Sequence, residues 1–229
     1  MSYKNQLAYF YKIFKRKEFW ISRELRCKIV WLGTDNAGFY VVPHLLNEKS
    51  IVYSFGVGEN ISFDKDIIKH FSCSVFAFDP TPKSIKFVER NVSDIENFIF
   101  FPFGLYNKDC HIDFYLPQNP NFVSGSTYKE DTLKEKISVP VKQISTIIKD
   151  LGHTQIDLIK MDIEGTEYDV IDDILGLDYH VPQIAIELHH RFKNIGIAKS
   201  KDLLRKMKNA GYKIAAISDT HEEYTFVKL

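Results

Sequence analysis

Ile51-Val52-Tyr53-Ser54-Phe55-Gly56-Val57-Gly58-Glu59-Asn60 is the stretch that decides the fold. An apolar run that breaks into two glycines one residue apart reads as a buried parallel strand feeding a tight turn. Gly56 and Gly58 carry no Cβ, so the backbone can turn sharply there and come close to a ligand. Just after them, Ser62 is expected to cap a helix whose apolar face is Phe63, Ile67, Ile68 and Phe71. Asp64 lies in the first turn of that helix and Lys69 and His70 in the last, as the helix dipole favours. A second apolar strand, Val75-Phe76-Ala77-Phe78, ends on Asp79, 21 positions after Gly58. An acid about twenty residues beyond a glycine turn is placed to accept hydrogen bonds from ribose hydroxyls. Strand, turn, helix, strand and acid together predict a nucleotide-binding α/β unit.

The rest of the chain extends that unit. Upstream, Tyr3, Leu7, Phe10, Tyr11 and Phe14 stand at helical spacing before the basic run Lys15-Arg16-Lys17. This predicts an N-terminal helix packed on the domain or in a homodimer seam, since aromatic stripes of this kind are usually core. Cys27 to Leu32 could form a short strand, and the glycine-bracketed loop Gly33 to Tyr40 is a candidate lid. Residues 1–45 are thus read as a helix and lid-like segment, and 46–229 as the main domain. Downstream, Pro80 and Pro82 break the second strand, a helix spans about 83–92, and a third strand ends on Gly104. The alternation from Cys110 to Leu116 has the period of a half-exposed antiparallel strand, part of a hairpin and loop insertion at about 108–136. Within it, Pro117 to Glu130 has no periodicity and reads as a mobile substrate gate.

The βαβ rhythm is expected to return with Val139-Pro140-Val141 and a helix at 144–151. Strand 156–161 follows, ending on Asp162-Ile163-Glu164-Gly165, then helix 166–175 and strand 183–188, ending on His189-His190. Helix 201–210, with Gly211 closing it, precedes two strands at 212–217 and 224–228 that form an antiparallel hairpin. The fold class is α/β, a single doubly wound domain with helices on both faces of its sheet.

Composition narrows the function. The 229 residues are 45% hydrophobic, enough for one sizeable core. Lys plus Arg and Asp plus Glu number 30 each, so no global field draws the protein to nucleic acid or to an acidic membrane, and neither is expected as a partner. Three scattered cysteines fit neither a disulfide framework nor a metal knuckle, and point to a reducing, cytoplasmic setting. No apolar run approaches the roughly 18 residues of a membrane span, so stable insertion is not expected.

In an open α/β sheet, ligands lie at the carboxyl ends of the strands. The residues there are Gly56 and Gly58, Asp79, Gly104, Asp162 with Glu164, and Glu187 with His189. Any of these acids alone could be a helix cap or an ion-pair partner. Their joint placement on one edge is more than a scaffold requires. A dinucleotide-binding turn wants a third glycine at position 61, where this chain has Ile61. That disfavours a nicotinamide cofactor and favours a smaller adenosyl ligand.

Four segments make the reading specific: Tyr53-Ser54-Phe55-Gly56-Val57-Gly58, Phe78-Asp79-Pro80-Thr81-Pro82, Lys160-Met161-Asp162-Ile163-Glu164-Gly165-Thr166-Glu167 and Ile186-Glu187-Leu188-His189. Together they resemble the successive motifs of the FkbM-type family of S-adenosylmethionine-dependent methyltransferases. The resemblance implies a Rossmann-like, seven-stranded, mostly parallel sheet whose last strand is antiparallel. It implies S-adenosylmethionine as cofactor, with Phe55, Gly56, Gly58, Asn60, Asp79, Pro80, Gly104 and Asp162 as its binding residues. Gly56 and Gly58 would pass under the methionine part, Asp79 would hold the ribose and Gly104 would lie near the adenine. It also implies methylation of a hydroxyl, on a sugar or glycoconjugate precursor. Ser54 departs from the general pattern, standing where many methyltransferases have an acid. For the base the candidates are Asp162, Glu187 and His189. They could hold a histidine as general base or bind a divalent ion, and the metal-free version is preferred because three ligands from two strands is only a minimal set. Two other readings compete: a noncatalytic adenosyl-binding scaffold and, disfavoured by Ile61, a nicotinamide-dependent sugar-modifying enzyme.

Overall fold

The computed structural model describes residues 9, 11, 13, 14, 18–92, 95–117, 133–192 and 194–229. An antiparallel pair, β1 (Val30–Leu32) and β2 (Phe39–Val41), comes first. Strict alternation follows in β3 (Ile51–Phe55), α1 (Ser62–Phe71), β4 (Ser74–Phe78), α2 (Pro82–Asn91) and β5 (Phe98–Phe101). It is interrupted by β6 (Gly104–Leu105), β7 (Cys110–Pro117) and β8 (Leu133–Lys142). It resumes with α3 (Ile144–Leu151), β9 (Leu158–Met161), α4 (Glu167–Leu175), β10 (Gln183–Glu187), α5 (Gly196–Asn209), β11 (Lys213–Ile217) and β12 (Glu223–Val227).

Seven strands form the main sheet in the order β11-β12-β10-β9-β3-β4-β5. Only β12 runs against its neighbours, pairing antiparallel with both β10 and β11. This is the doubly wound, Rossmann-like α/β sheet with an antiparallel last strand that the sequence predicts. The opening strand is apolar throughout because both its faces are covered. Tyr53 and Phe55 enter one buried cluster and Val52 the opposite one. The chain leaves β3 toward β4 on one side and returns as β9 on the other. A crevice opens at such a reversal, outside the carboxyl ends of the strands.

The structure corrects three details. Val139-Pro140-Val141 belongs to β8, which pairs with β7 and β6 in a separate three-stranded sheet, so the insertion runs six residues beyond 136. It can do so because Phe114, Val139 and Val141 bury one another in a small core of their own. Ser62 does not cap α1: the Asn60 side chain accepts from the Ser62 N–H at 3.0 Å, while the Ser62 hydroxyl accepts from the Thr34 N–H at 2.9 Å. Helix α5 begins at Gly196, ahead of the expected 201. Most of the expected N-terminal helix, and the segment from 118 to 130 read as a gate, lie outside the described residues. Among the described residues, no helix is long and apolar enough to cross a membrane.

Candidate active site

The glycine turn is built from inside. Gly56 and Gly58 take φ of +83° and +57°, the left-handed region that suits glycine. A Cβ on Gly56 would fall on the Asp162 carbonyl, so the close approach of the β9 end to the turn requires glycine there. The Asp79 carboxylate points back into the protein. One oxygen accepts from the Val57 and Gly58 N–H groups, both at 2.9 Å. The other accepts from the Thr81 N–H at 2.8 Å and the Thr81 hydroxyl at 2.6 Å. The expected outward presentation to a ribose is therefore not the geometry found: four protein donors already occupy this buried carboxylate. Phe55 is likewise turned away, fully buried and stacked on Phe78 at 4.7 Å. Alternation along β3 puts its side chain in the core, and only its carbonyl faces the turn.

Beside the turn is a cavity of about 300 Å³. Gly56, Gly58, Asn60, Asp79, Pro80, Gly104 and Asp162 line it, as the sequence reading grouped them. Asn36 and Ala37 also border it, so the lid-like loop does reach the site. The insertion supplies an apolar wall of Leu105, Ile112, Phe114, Val139 and Val141. Under the turn lie two residues that the sequence reading did not assign, Asp64 and Lys160. Lys160 donates to the carbonyls of Gly56 at 2.5 Å and Phe55 at 3.3 Å. Burial pushes the Asp64 carboxyl above its usual range, against the pull of Lys160. One Asp64 oxygen has no hydrogen-bond partner. A lysine inside the apolar strand Leu158-Ile159-Lys160-Met161 was the available signal, because a buried cation needs a partner.

The opposite wall gathers the acids. Asp162 follows β9, and Glu164 in the next turn takes a φ of +55°, a strained conformation for a residue other than glycine. Glu187 ends β10, and His189 follows two residues later on the same side. His189 is 6% exposed. Its Nε2 stands 3.7 Å from Asp162, 3.5 Å from Glu164 and 3.7 Å from Glu187. Its Nδ1 lies 3.1 Å from Glu167, a fully buried acid that also accepts from the N–H groups of Ile163 and Gly165. Glu167 thus ties the Asp162–Gly165 turn to the histidine, a positioning role that the sequence reading did not assign. Burial opposes the charge on His189, but Glu167, Glu164 and Asp162 outweigh it and hold the imidazole pKa well above its ordinary value. Burial and the neighbouring Asp162 push the Glu187 carboxyl up to about 8, against His189. The structure thus brings Asp162, Glu187 and His189 together as the sequence predicts. It places Asp162 and Glu164 on the cavity wall, with His189 behind them.

The neighbouring His190 has a different task. It donates through Nε2 to the buried Glu18 at 2.8 Å, and Arg191 donates to the same oxygen at 2.8 Å. Burial alone would raise the Glu18 carboxyl, and these two partners bring it below its usual range. The segment before β1 is pinned in this way beside the acid wall.

A parallel sheet with a glycine turn at its reversal, acids at the neighbouring strand ends and a cavity between them define a Rossmann-like domain of the nucleotide-binding kind. Residues 56–214 match the methyltransferase FkbM domain family, and the chain belongs to it. The cofactor is S-adenosylmethionine. Among curated proteins, the methyltransferase-like protein 24 of Rattus norvegicus is 20% identical over 173 residues, which cover 75% of this chain and 41% of that protein. Its Homo sapiens counterpart is 21% identical over 164 residues, covering 71% and 38%. The chain thus spans about two fifths of the length of these relatives. Among solved structures, SMU.1697c of Streptococcus mutans in complex with SAH is 12% identical with a TM-score of 0.48, over 81% of this chain and 92% of that one. Aeropyrum pernix fibrillarin with natively bound S-adenosyl-L-methionine is 8% identical with a TM-score of 0.43, over 81% and 68%.

The residues present fit this cofactor. An unpartnered buried carboxylate oxygen on Asp64 suits an ammonium group, and the apolar wall from Leu105 to Val141 suits a flat ring.

Proposed function

We propose that the chain transfers a methyl group from S-adenosylmethionine to an oxygen, the acceptor being a hydroxyl of a sugar or glycoconjugate precursor. When bound, the cofactor supplies a methyl group on a sulfonium, which an acceptor oxygen displaces in line. What remains for the protein is to align the acceptor and receive its proton. The observation that carries the reading is the cavity with the glycine turn on one side and the Asp162 and Glu164 carboxylates on the other. A wall of carboxylates suits a neutral acceptor that must lose a proton. Asp162 is the base in this reading, because it lines the cavity, while an imidazole held protonated gives protons rather than taking them. His189 and Glu187, behind it, set its charge balance. Gly56 and Gly58 shape the cradle for the methionine part, and Asp79 holds that cradle closed through the Val57 and Gly58 N–H groups. Asn60, Pro80 and Gly104 complete the cofactor side.

The test is transfer of a labelled methyl group from S-adenosylmethionine to a panel of sugars, sugar nucleotides and oligosaccharides. Product analysis then locates the label. An ether-linked, base-stable methyl group is expected. Base-labile label, or label found only on protein or nucleic acid, would overturn the hydroxyl reading.

A further inference from the structure

We propose that Asp162, Glu164 and His189 form a binding site for a divalent metal ion. A carboxylate oxygen of Asp162, one of Glu164 and a ring nitrogen of His189 come together there. The ligand atoms of Asp162, Glu164 and His189 all lie within 4.8 Å of one another. The Nε2 separations of 3.5 to 3.7 Å are too long for good hydrogen bonds. They are close to the spacing of neighbouring ligands that each stand about 2.1 Å from one ion.

Acids alone would carry no such inference. The independent observation is the histidine: His189 is 6% exposed, its Nε2 makes no hydrogen bond, and it is aimed into the middle of the three carboxylates. Its other nitrogen faces Glu167, whose own oxygens are fixed by the Ile163 and Gly165 N–H groups. A carboxylate close behind the imidazole, here 3.1 Å from Nδ1, is the usual outer support of a metal-bound histidine. The Glu164 backbone is held at a φ of +55° in the turn that brings its carboxylate to this point. The side chains of Asp162, Glu164 and Glu187 are 30%, 22% and 25% exposed, so an ion can reach the site from the cavity side. Two carboxylates and one imidazole, whose proton the incoming ion displaces, suit a hard or borderline ion such as Mn²⁺.

The inference rests on the proposed function only for what the ion would do there. A hydroxyl bound to it would lose its proton more readily, and the Asp162 oxygen that does not face the ion would remain to take it. Binding itself is tested on the protein without cofactor or acceptor. Titration with MnCl₂, followed by electron paramagnetic resonance, should show one bound Mn²⁺ per chain with nitrogen coupling from an imidazole. His189→Gln should abolish that coupling. His189→Gln and Glu164→Gln should each weaken binding at least ~10-fold while circular dichroism stays native. Glu164, on the cavity wall, keeps the test open if the His189 variant does not fold. No bound Mn²⁺ at millimolar metal, binding without nitrogen coupling, or unchanged affinity in the folded variants would overturn the site. Calorimetry with S-adenosylhomocysteine on the same samples reads the cofactor site separately, so failure of one reading is distinguishable from failure of the other.

Discussion

The two ends of the cavity are finished to different degrees. At the glycine turn most partners are in place: the two oxygens of Asp79 accept four donors and Lys160 covers the Gly56 carbonyl, with one Asp64 oxygen left open. At the acid wall, Asp162, Glu164, Glu167 and Glu187 surround a single imidazole, and its Nε2 is 3.5 Å or more from each of its three facing carboxylates. One end is a preorganised surface that costs little to use, because its dipoles are fixed before any ligand arrives. The other holds like charges close together and only partly exposed, an arrangement that a cation or a proton donor stabilises. The contrast separates a region that shapes from a region that reacts.

The largest effect should come from Gly56→Val. The left-handed φ costs a branched residue on the order of 1–3 kcal/mol, and the new Cβ would meet the Asp162 carbonyl, which belongs to the opposite end. Loss of S-adenosylhomocysteine binding together with a lower melting temperature is expected. A variant with native stability and binding would show that the two ends are not mechanically joined. Asp162→Asn comes next, with turnover falling roughly 10²-fold and S-adenosylhomocysteine affinity within a few-fold, as befits a wall that acts on the acceptor. Wild-type turnover on the true acceptor would place the base elsewhere. Asp79→Ala should cost less. It orphans the Val57 and Gly58 N–H groups, a loss of about 1–3 kcal/mol, and should reduce cofactor affinity by one to two decades along with stability. Weakened binding at unchanged stability would instead restore a direct role toward the ribose.

Much of this contrast could be read from the residues. Gly56 and Gly58 announce the turn, and the two-residue period of a strand puts Glu187 and His189 on one side, so their convergence with Asp162 follows from topology alone. The inward turn of Asp79 was not legible, because it depends on where two loop N–H groups point. Asn60 and Ser62 are nearly equal as helix caps, and the choice falls to Thr34, whose N–H takes the Ser62 hydroxyl from 28 positions away. Lys160 meets the Gly56 carbonyl from 104 positions away, and Glu18 meets His190 from 172. Pairings at such separation are set by how the layers pack, and no local pattern encodes them. Phe55 shows the opposite failure: its motif position suggested a ligand contact, and plain alternation would have put it in the core.

One effect tests the acid wall without cofactor or acceptor and is read in stability alone. Glu187 carries a folded-state pKa of about 8, above the ordinary carboxylate value, because burial and Asp162 disfavour its charge. A group whose pKa is raised on folding binds its proton more tightly in the native state. Its stabilising contribution is therefore full below the unfolded pKa near ~4.3, shrinks as the pH rises, and is gone above about 8. Glu187→Gln fixes the neutral state permanently. At pH 4 the variant and the wild type should have similar stability. Between there and pH 8 the variant should gain on the wild type by at most ~1.4 kcal/mol per pH unit, a ceiling that solvent screening at the cavity edge lowers. Urea denaturation at several pH values measures this directly. A difference independent of pH would mean that Glu187 is charged throughout and the wall is already balanced. In that case both ends of the cavity would be balanced before any ligand arrives. A stability gain that grows with pH in metal-free buffer, and that millimolar Mn²⁺ reverses by stabilising only the wild type, would connect the strain in the wall to the ion that relieves it.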